Sequence, residues 1–183
     1  QVVNLLYNIV DRIYIGHIPE IGSTALTGVG VTFPIITIIS AFSALVGMGG
    51  APRASIRMGQ KDNDGAEKIL GNCMALSIIL SILLIVGFEI FGQPLLMLFG
   101  ASENTIGYGW SYMSIYVLGT FFVTVTMGLN NFISAQGFAK TSMLTVIIGA
   151  VINIVLDPVF IFVFNMGVAG AAWATILSQA ISC

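Results

Sequence analysis

Residues 69–91 read ILGNCMALSIILSILLIVGFEIF. These 23 residues contain one charged side chain, Glu89. A helix rises about 1.5 Å per residue, so the run reaches across the roughly 30 Å hydrocarbon core of a bilayer. Backbone in lipid finds no water to bond, and a helix pairs every N–H and C=O within one segment. The stretch therefore predicts a membrane-spanning helix, and its neighbours repeat the pattern. Hydrophobic residues make up 57% of the chain and charged residues only 8%. A soluble domain carries roughly a quarter charged residues. The mean hydropathy of +1.00 agrees with a lipid-facing surface.

Outward from this run, five more apolar stretches give six expected spans, at about 1–17, 23–51, 69–91, 106–135, 141–164 and 167–183. An amphipathic stretch from Gln93 to Thr105 separates the third and fourth. The fold class read from this pattern is all-α, a polytopic six-helix membrane bundle. Lys and Arg set its orientation. Arg53, Arg57, Lys61 and Lys68 follow the second span, and Lys140 follows the fourth. The opposite loops hold no Lys or Arg, so the basic side is expected to be cytoplasmic. The chain lacks an initiator Met and starts and stops inside apolar runs, so it reads as a fragment cut within two helices. No charged leader or cleavage site marks a signal peptide.

Several functions have nothing to rest on. The net charge is −2 with no basic patch, which argues against nucleic acid. Cys73 and Cys183 lie far apart in apolar stretches, and His17 is the only histidine, so no metal-type spacing exists. No nucleophile and base set suggests an enzyme. Glycine runs such as Gly47-Met48-Gly49-Gly50 lack a nucleotide-binding fingerprint and read as close helix packing.

The informative residues are acids inside spans. An Asp at a helix centre costs about 2.5–3.5 kcal/mol to insert, so it usually faces a cavity or a partner. Glu89 is expected near the outer end of its span, within reach of the interface. Asp11 precedes Arg12, which suggests a local pair. Asp11 lies eight residues before Pro19, Asp157 eight before Asn165, and Thr175 eight after Gly167. All three then sit about 12 Å inward of their turns. They form one site if their helices are neighbours. Asn153 and Asp157 share a helix face, and Pro158 disturbs the turn beside them by offering no N–H to Ile154. Asn4, Tyr7 and Asp11 share a face of the first span.

The segments VDRIYIGHI, LTGVGVTFPI, GMGGAPRASIRMGQKD, SAQGFAKTSML, INIVLDPVFIF and GVAGAAWATILSQ, in this order, resemble the MATE family, the multidrug and toxic compound extrusion transporters. The resemblance covers essentially the whole chain. It implies a twelve-span transporter of two lobes, with this chain as most of the N-terminal lobe and a C-terminal lobe as its missing partner. It implies export of small organic, often cationic, compounds in exchange for H⁺ or Na⁺. The membrane would be the cytoplasmic membrane of a prokaryote. No cofactor is implied beyond the coupling ion. By resemblance Asp11, Asn153, Asp157 and Thr175 handle that ion, and Asp11 and Asp157 would ligate Na⁺ if Na⁺ is used. Tyr112 and Asn130, with Asn4 and Tyr7, would line the substrate cavity. Asn4 stands where some relatives carry Gln. Two ionised acids close together in a low dielectric resist sharing full charge, so one would hold a proton or a cation. A related lipid-linked-saccharide flippase would want basic residues in its spans, and Arg12 is the only one here. A scaffold or channel without coupling leaves the matched depths unexplained.

Overall fold

The computed structural model describes the backbone of residues 2–183 and the side chains of residues 9–183. The described chain is a helix bundle: α1 (Val2–Gly16), α2 (Gly22–Val31), α3 (Phe33–Gly59), α4 (Asn63–Leu98), α5 (Ile106–Leu118), α6 (Thr120–Ala135), α7 (Ala139–Pro158) and α8 (Gly167–Ser182). A π-helical turn, Val159–Val163, extends α7. Three helices are long and apolar enough to cross a bilayer: α3, α4 and the α7–π unit. The pair α5–α6 makes a fourth crossing if its 53° bend lies within one span. The described α1 and α8 are shorter, at 15 and 16 residues. Both pack beside α7.

The outer surface is apolar, and much of the interior is small or polar. Leu98 is 77% exposed, Val163 74% and Leu45 64%. Asp157, Ser43, Ser81 and Thr124 are fully buried. A surface in lipid needs no polar cover, and small or hydroxyl side chains let helices approach and bond across the seam. Ser43 of α3 donates to Thr124 Oγ1 of α6 at 3.0 Å in this way.

The element boundaries differ from the sequence expectation in three places. The second span is not continuous: α2 stops at Val31 and α3 starts at Phe33. Pro34 opens α3 without an N–H to give to the preceding turn, and Thr32 closes α2 by donating its hydroxyl to Val29 O at 2.7 Å. The third helix is much longer than 69–91. Asp62 caps it by accepting from Gly65 N–H at 2.9 Å, and the same carboxylate pairs with Arg57. The polar segment from Arg53 to Lys68 thus shrinks to a tight turn between α3 and α4. At its far end α4 passes Pro94 and stops at Leu98, absorbing the first half of the expected amphipathic stretch. The fourth span bends at Gly119, where Ile176 of α8 fills the space a side chain would need.

Helices α1, α7 and α8 touch one another, and α5 packs on α2, α4 and α8. Helices α3, α4 and α6 form the other side of the bundle. The three helices that carry Asp11, Asp157 and Thr175 are therefore neighbours, as a shared site requires.

A buried carboxylate cluster beside a cavity

Pro158 decides the local geometry. Lacking an N–H, it cannot continue the α-helical ladder, and the chain widens into the π turn. Phe164 N–H closes that turn on Val159 O at 2.9 Å. Asn165, at φ 54°, and Met166 N–H, donating to Phe160 O at 3.1 Å, then reverse the chain into α8. Gly170 of α8 lies directly on the π turn. A Cβ there would stand 2.7 Å from the Phe160 carbonyl oxygen. From the other side Tyr14 of α1 meets Phe162 edge-on, with ring centroids 6.4 Å apart. The π turn thus holds α1 and α8 against α7, one helical turn from the acids.

The side chains meet accordingly. Asp11 is 4% exposed, Asn153 1%, Asp157 0% and Thr175 5%. Asn153 Nδ2 donates to Asp157 Oδ1 at 3.2 Å and to Thr175 Oγ1 at 3.3 Å. The Thr175 hydroxyl in turn donates to Ala171 O at 3.0 Å. Tyr112 of α5 donates to Asp11 Oδ2 at 3.4 Å. Three buried oxygens of this cluster have no hydrogen-bond partner among the described residues: Asp11 Oδ1, Asp157 Oδ2 and Asn153 Oδ1. Buried polar atoms are normally bonded, so three orphaned acceptors in one cluster mark a place for a donor or a cation. No group of three His, Cys, Asp or Glu side chains converges among the described residues. Two carboxylates with an amide oxygen and a hydroxyl instead suit a proton or one hard monovalent ion.

A cavity of about 280 Å³ adjoins the cluster. Tyr112, Asn130, Asn153 and Thr175 are in its wall, while Asp11 and Asp157 are not. The acids connect to it through Tyr112 and Asn153, which bond them and face the cavity at once. Tyr112 stacks on Tyr116, with centroids 6.1 Å apart and planes 15° apart, and gives the cavity an aromatic wall. Asn130 holds the α6–α7 seam, accepting from Thr145 Oγ1 at 2.9 Å through its side chain and from Ser142 Oγ at 3.2 Å through its carbonyl. Asn4 and Tyr7 lie outside the described side chains.

One expectation needs correction and two residues were missed. Glu89 stands within a helix that runs on past the expected span. It lies nine residues before Leu98, and its Oε1 is buried without a partner among the described residues. It is nonetheless apart from the cluster, because α4 packs on α3, α5 and α6. Asp11 and Arg12 make no salt bridge: the Arg12 guanidinium lies over the Phe33 ring, 5.5 Å from its centroid. Phe33 and Gln179 also line the cavity. Gln179 follows Thr175 by one helical turn, a signal the sequence did hold. Phe33 carried none until the break before α3 was known.

Comparison with known proteins agrees with this arrangement. The MatE family model matches residues 1–159. The multidrug export protein MepA of Staphylococcus haemolyticus is 30% identical over 182 residues, covering all of this chain and 40% of that protein. MepA of Staphylococcus aureus is 26% identical over 177 residues, covering 97% of this chain and 39% of that one. The chain thus spans about 40% of the length of the relatives it matches. A crystal structure of a MATE protein in the bent conformation superposes with a TM-score of 0.92 at 30% identity, covering 98% of this chain and 40% of that one. An inward-facing multidrug resistance MATE transporter gives 0.91 at 30% identity, covering 97% and 40%. An outward-facing one gives 0.90 at 30% identity, covering 98% and 39%. With a family model over most of its length and relatives that share its whole helix arrangement, the chain belongs to the MatE family.

Proposed function

We propose that the chain is the N-terminal lobe of a cation-coupled antiporter that exports organic, often cationic, compounds across the cytoplasmic membrane in exchange for H⁺ or Na⁺. One observation carries the reading: three orphaned, buried oxygens of Asp11, Asp157 and Asn153 lie beside a cavity with an aromatic wall. Leaving a buried acceptor unbonded costs about 1–3 kcal/mol. A proton or cation bound between α1 and α7 relieves that cost.

The same geometry supports exchange rather than simple binding. Asn153 and Tyr112 serve the acids and the cavity wall together. An ion drawn between Asp11 and Asp157 recruits the Asn153 amide and the Asp11 carboxylate, and so changes the surface a substrate meets. A ligand shifts an equilibrium only through differential affinity, and such coupling is reciprocal: an ion that weakens substrate binding is itself weakened by substrate. The lobe matches inward- and outward-facing relatives equally well. This supports alternation by movement between two lobes, with the cavity closed by the second.

The test is Asp11→Asn and Asp157→Asn in the full-length parent protein, reconstituted with an imposed H⁺ or Na⁺ gradient. Each change is expected to lower ion-driven export of a cationic dye by about tenfold or more. Undiminished export in both variants would remove the acids from the mechanism.

A further inference from the structure

The ion cluster draws its side chains from α1, α5, α7 and α8, and two of its bonds are long. Tyr112 of α5 reaches Asp11 of α1 at 3.4 Å, and Asn153 of α7 reaches Thr175 of α8 at 3.3 Å. Hydrogen bonds are commonest near about 2.8–3.0 Å and are lost by about 3.6 Å. A shift of a few tenths of an ångström in α5 or α8 therefore breaks one of them. Neither bond joins α5 to α8, so something else sets the spacing of those two helices.

Ile176 is placed to do so. It follows Thr175 on α8, and adjacent helix positions diverge by about 100°. Thr175 meets Asn153, while the buried Ile176 enters the bend between α5 and α6. A Cβ on Gly119 would overlap Ile176 Cγ1 and stand 2.8 Å from its Cδ1. Gly119, just past the end of α5, lies two helical turns beyond Tyr112. Thr120 shows that the bend is imposed by packing. Thr124 satisfies its hydroxyl on the carbonyl four residues back, Thr120 O, at 2.8 Å. Thr120 is fully buried, yet its own Oγ1 has no partner among the described residues, because the bend denies it the equivalent bond to Tyr116. An unbonded buried hydroxyl opposes the bend, and the filled notch holds it. We infer that Ile176, seated in the Gly119 notch, is a positioning residue for the ion cluster: it fixes α8 against α5, and with them the reach of Thr175 and Tyr112. This rests on the ion-coupled reading above and names what holds that site in register.

The test is a size swap in the purified full-length protein. Equilibrium binding of the cationic dye rhodamine B ethyl ester is read by fluorescence polarisation while Na⁺ and H⁺ are titrated separately. The quantity compared is the ion concentration at half effect, and the thermal midpoint is followed beside it. Gly119→Ala, which drives Ile176 out of the notch, is expected to shift that concentration by about tenfold. Ile176→Ala empties the notch without adding an overlap. It is expected to shift the concentration by about threefold or more, and it carries the test if Gly119→Ala does not fold. The double variant sets one methyl group against another and is expected to return to within about threefold of wild type. A lower thermal midpoint with the half-effect concentration unmoved in the single variants would show a structural role alone and overturn the inference. A double variant no nearer to wild type than Gly119→Ala would overturn it too. A wild type whose dye affinity answers to neither ion would instead overturn the proposed function, and this inference with it.

Discussion

Asn153 is where the ion cluster and the cavity share one side chain. Its amide nitrogen serves Asp157 and Thr175, and its orphaned oxygen is available to an incoming ion. Asn153→Ala removes both bonds and that oxygen. We expect the ion dependence of substrate affinity to fall by about fivefold or more, at the lower end of measured coupling energies. Titrating dye affinity against Na⁺ and H⁺ checks it, and a retained ion dependence would move the coupling elsewhere. At this scale the sequence was informative because helical rise converts residue counts into depth. Asp11, Asp157 and Thr175 could be placed at one level, and Asn153 on the Asp157 face, before any packing was known. What counting could not supply was direction across the bundle. Arg12 was expected beside Asp11, yet adjacent helix positions diverge by about 100°. Its guanidinium reached Phe33 on another helix instead.

The π turn is the element that assembles the site. Pro158 was visible in the sequence as a disturbance, but the form of its relief was not, since a kink and a widened turn follow from the same missing N–H. The structure shows the widened turn, with Gly170 seated against it. Gly170→Ala would drive a Cβ into the Phe160 carbonyl, backbone that cannot rotate away. We expect a loss of about 1–3 kcal/mol, as for other overpacked contacts. The thermal midpoint of the detergent-solubilised full-length protein should fall accordingly. Gly107→Ala, where a Cβ meets nothing within 4 Å, is the matched control and should stay within about 0.5 kcal/mol of wild type. Glu89 shows why element ends were harder to read. Gln93-Pro94 looks like a stop, but the helix passes through it to Leu98 and so outruns the expected span. The bend at Gly119 was equally hidden, because its cause is Ile176, a residue far along the chain.

For the whole molecule, composition and loop charge decided the class, and no single contact was needed. A bundle that exposes Leu45, Leu98 and Val163 while burying Asp157 is arranged for lipid outside and function inside. The basic turn at Lys61 and the turn at Asn165 should then lie on opposite sides of the membrane. In a background with Cys73 and Cys183 replaced, Lys61→Cys should label with an impermeant thiol reagent only from the cytoplasmic face, and Asn165→Cys only from the other. Labelling of both from one side would contradict the orientation. The central claim is that the Asp11, Asn153 and Asp157 cluster links ion binding to substrate binding. Equilibrium binding of rhodamine B ethyl ester to the full-length protein across a range of H⁺ and Na⁺ concentrations tests it most directly. Wild-type affinity should fall by about tenfold or more as one of the two ions is raised, and Asp11→Asn and Asp157→Asn should flatten that dependence. A wild-type ion dependence that survives intact in both variants would contradict the account.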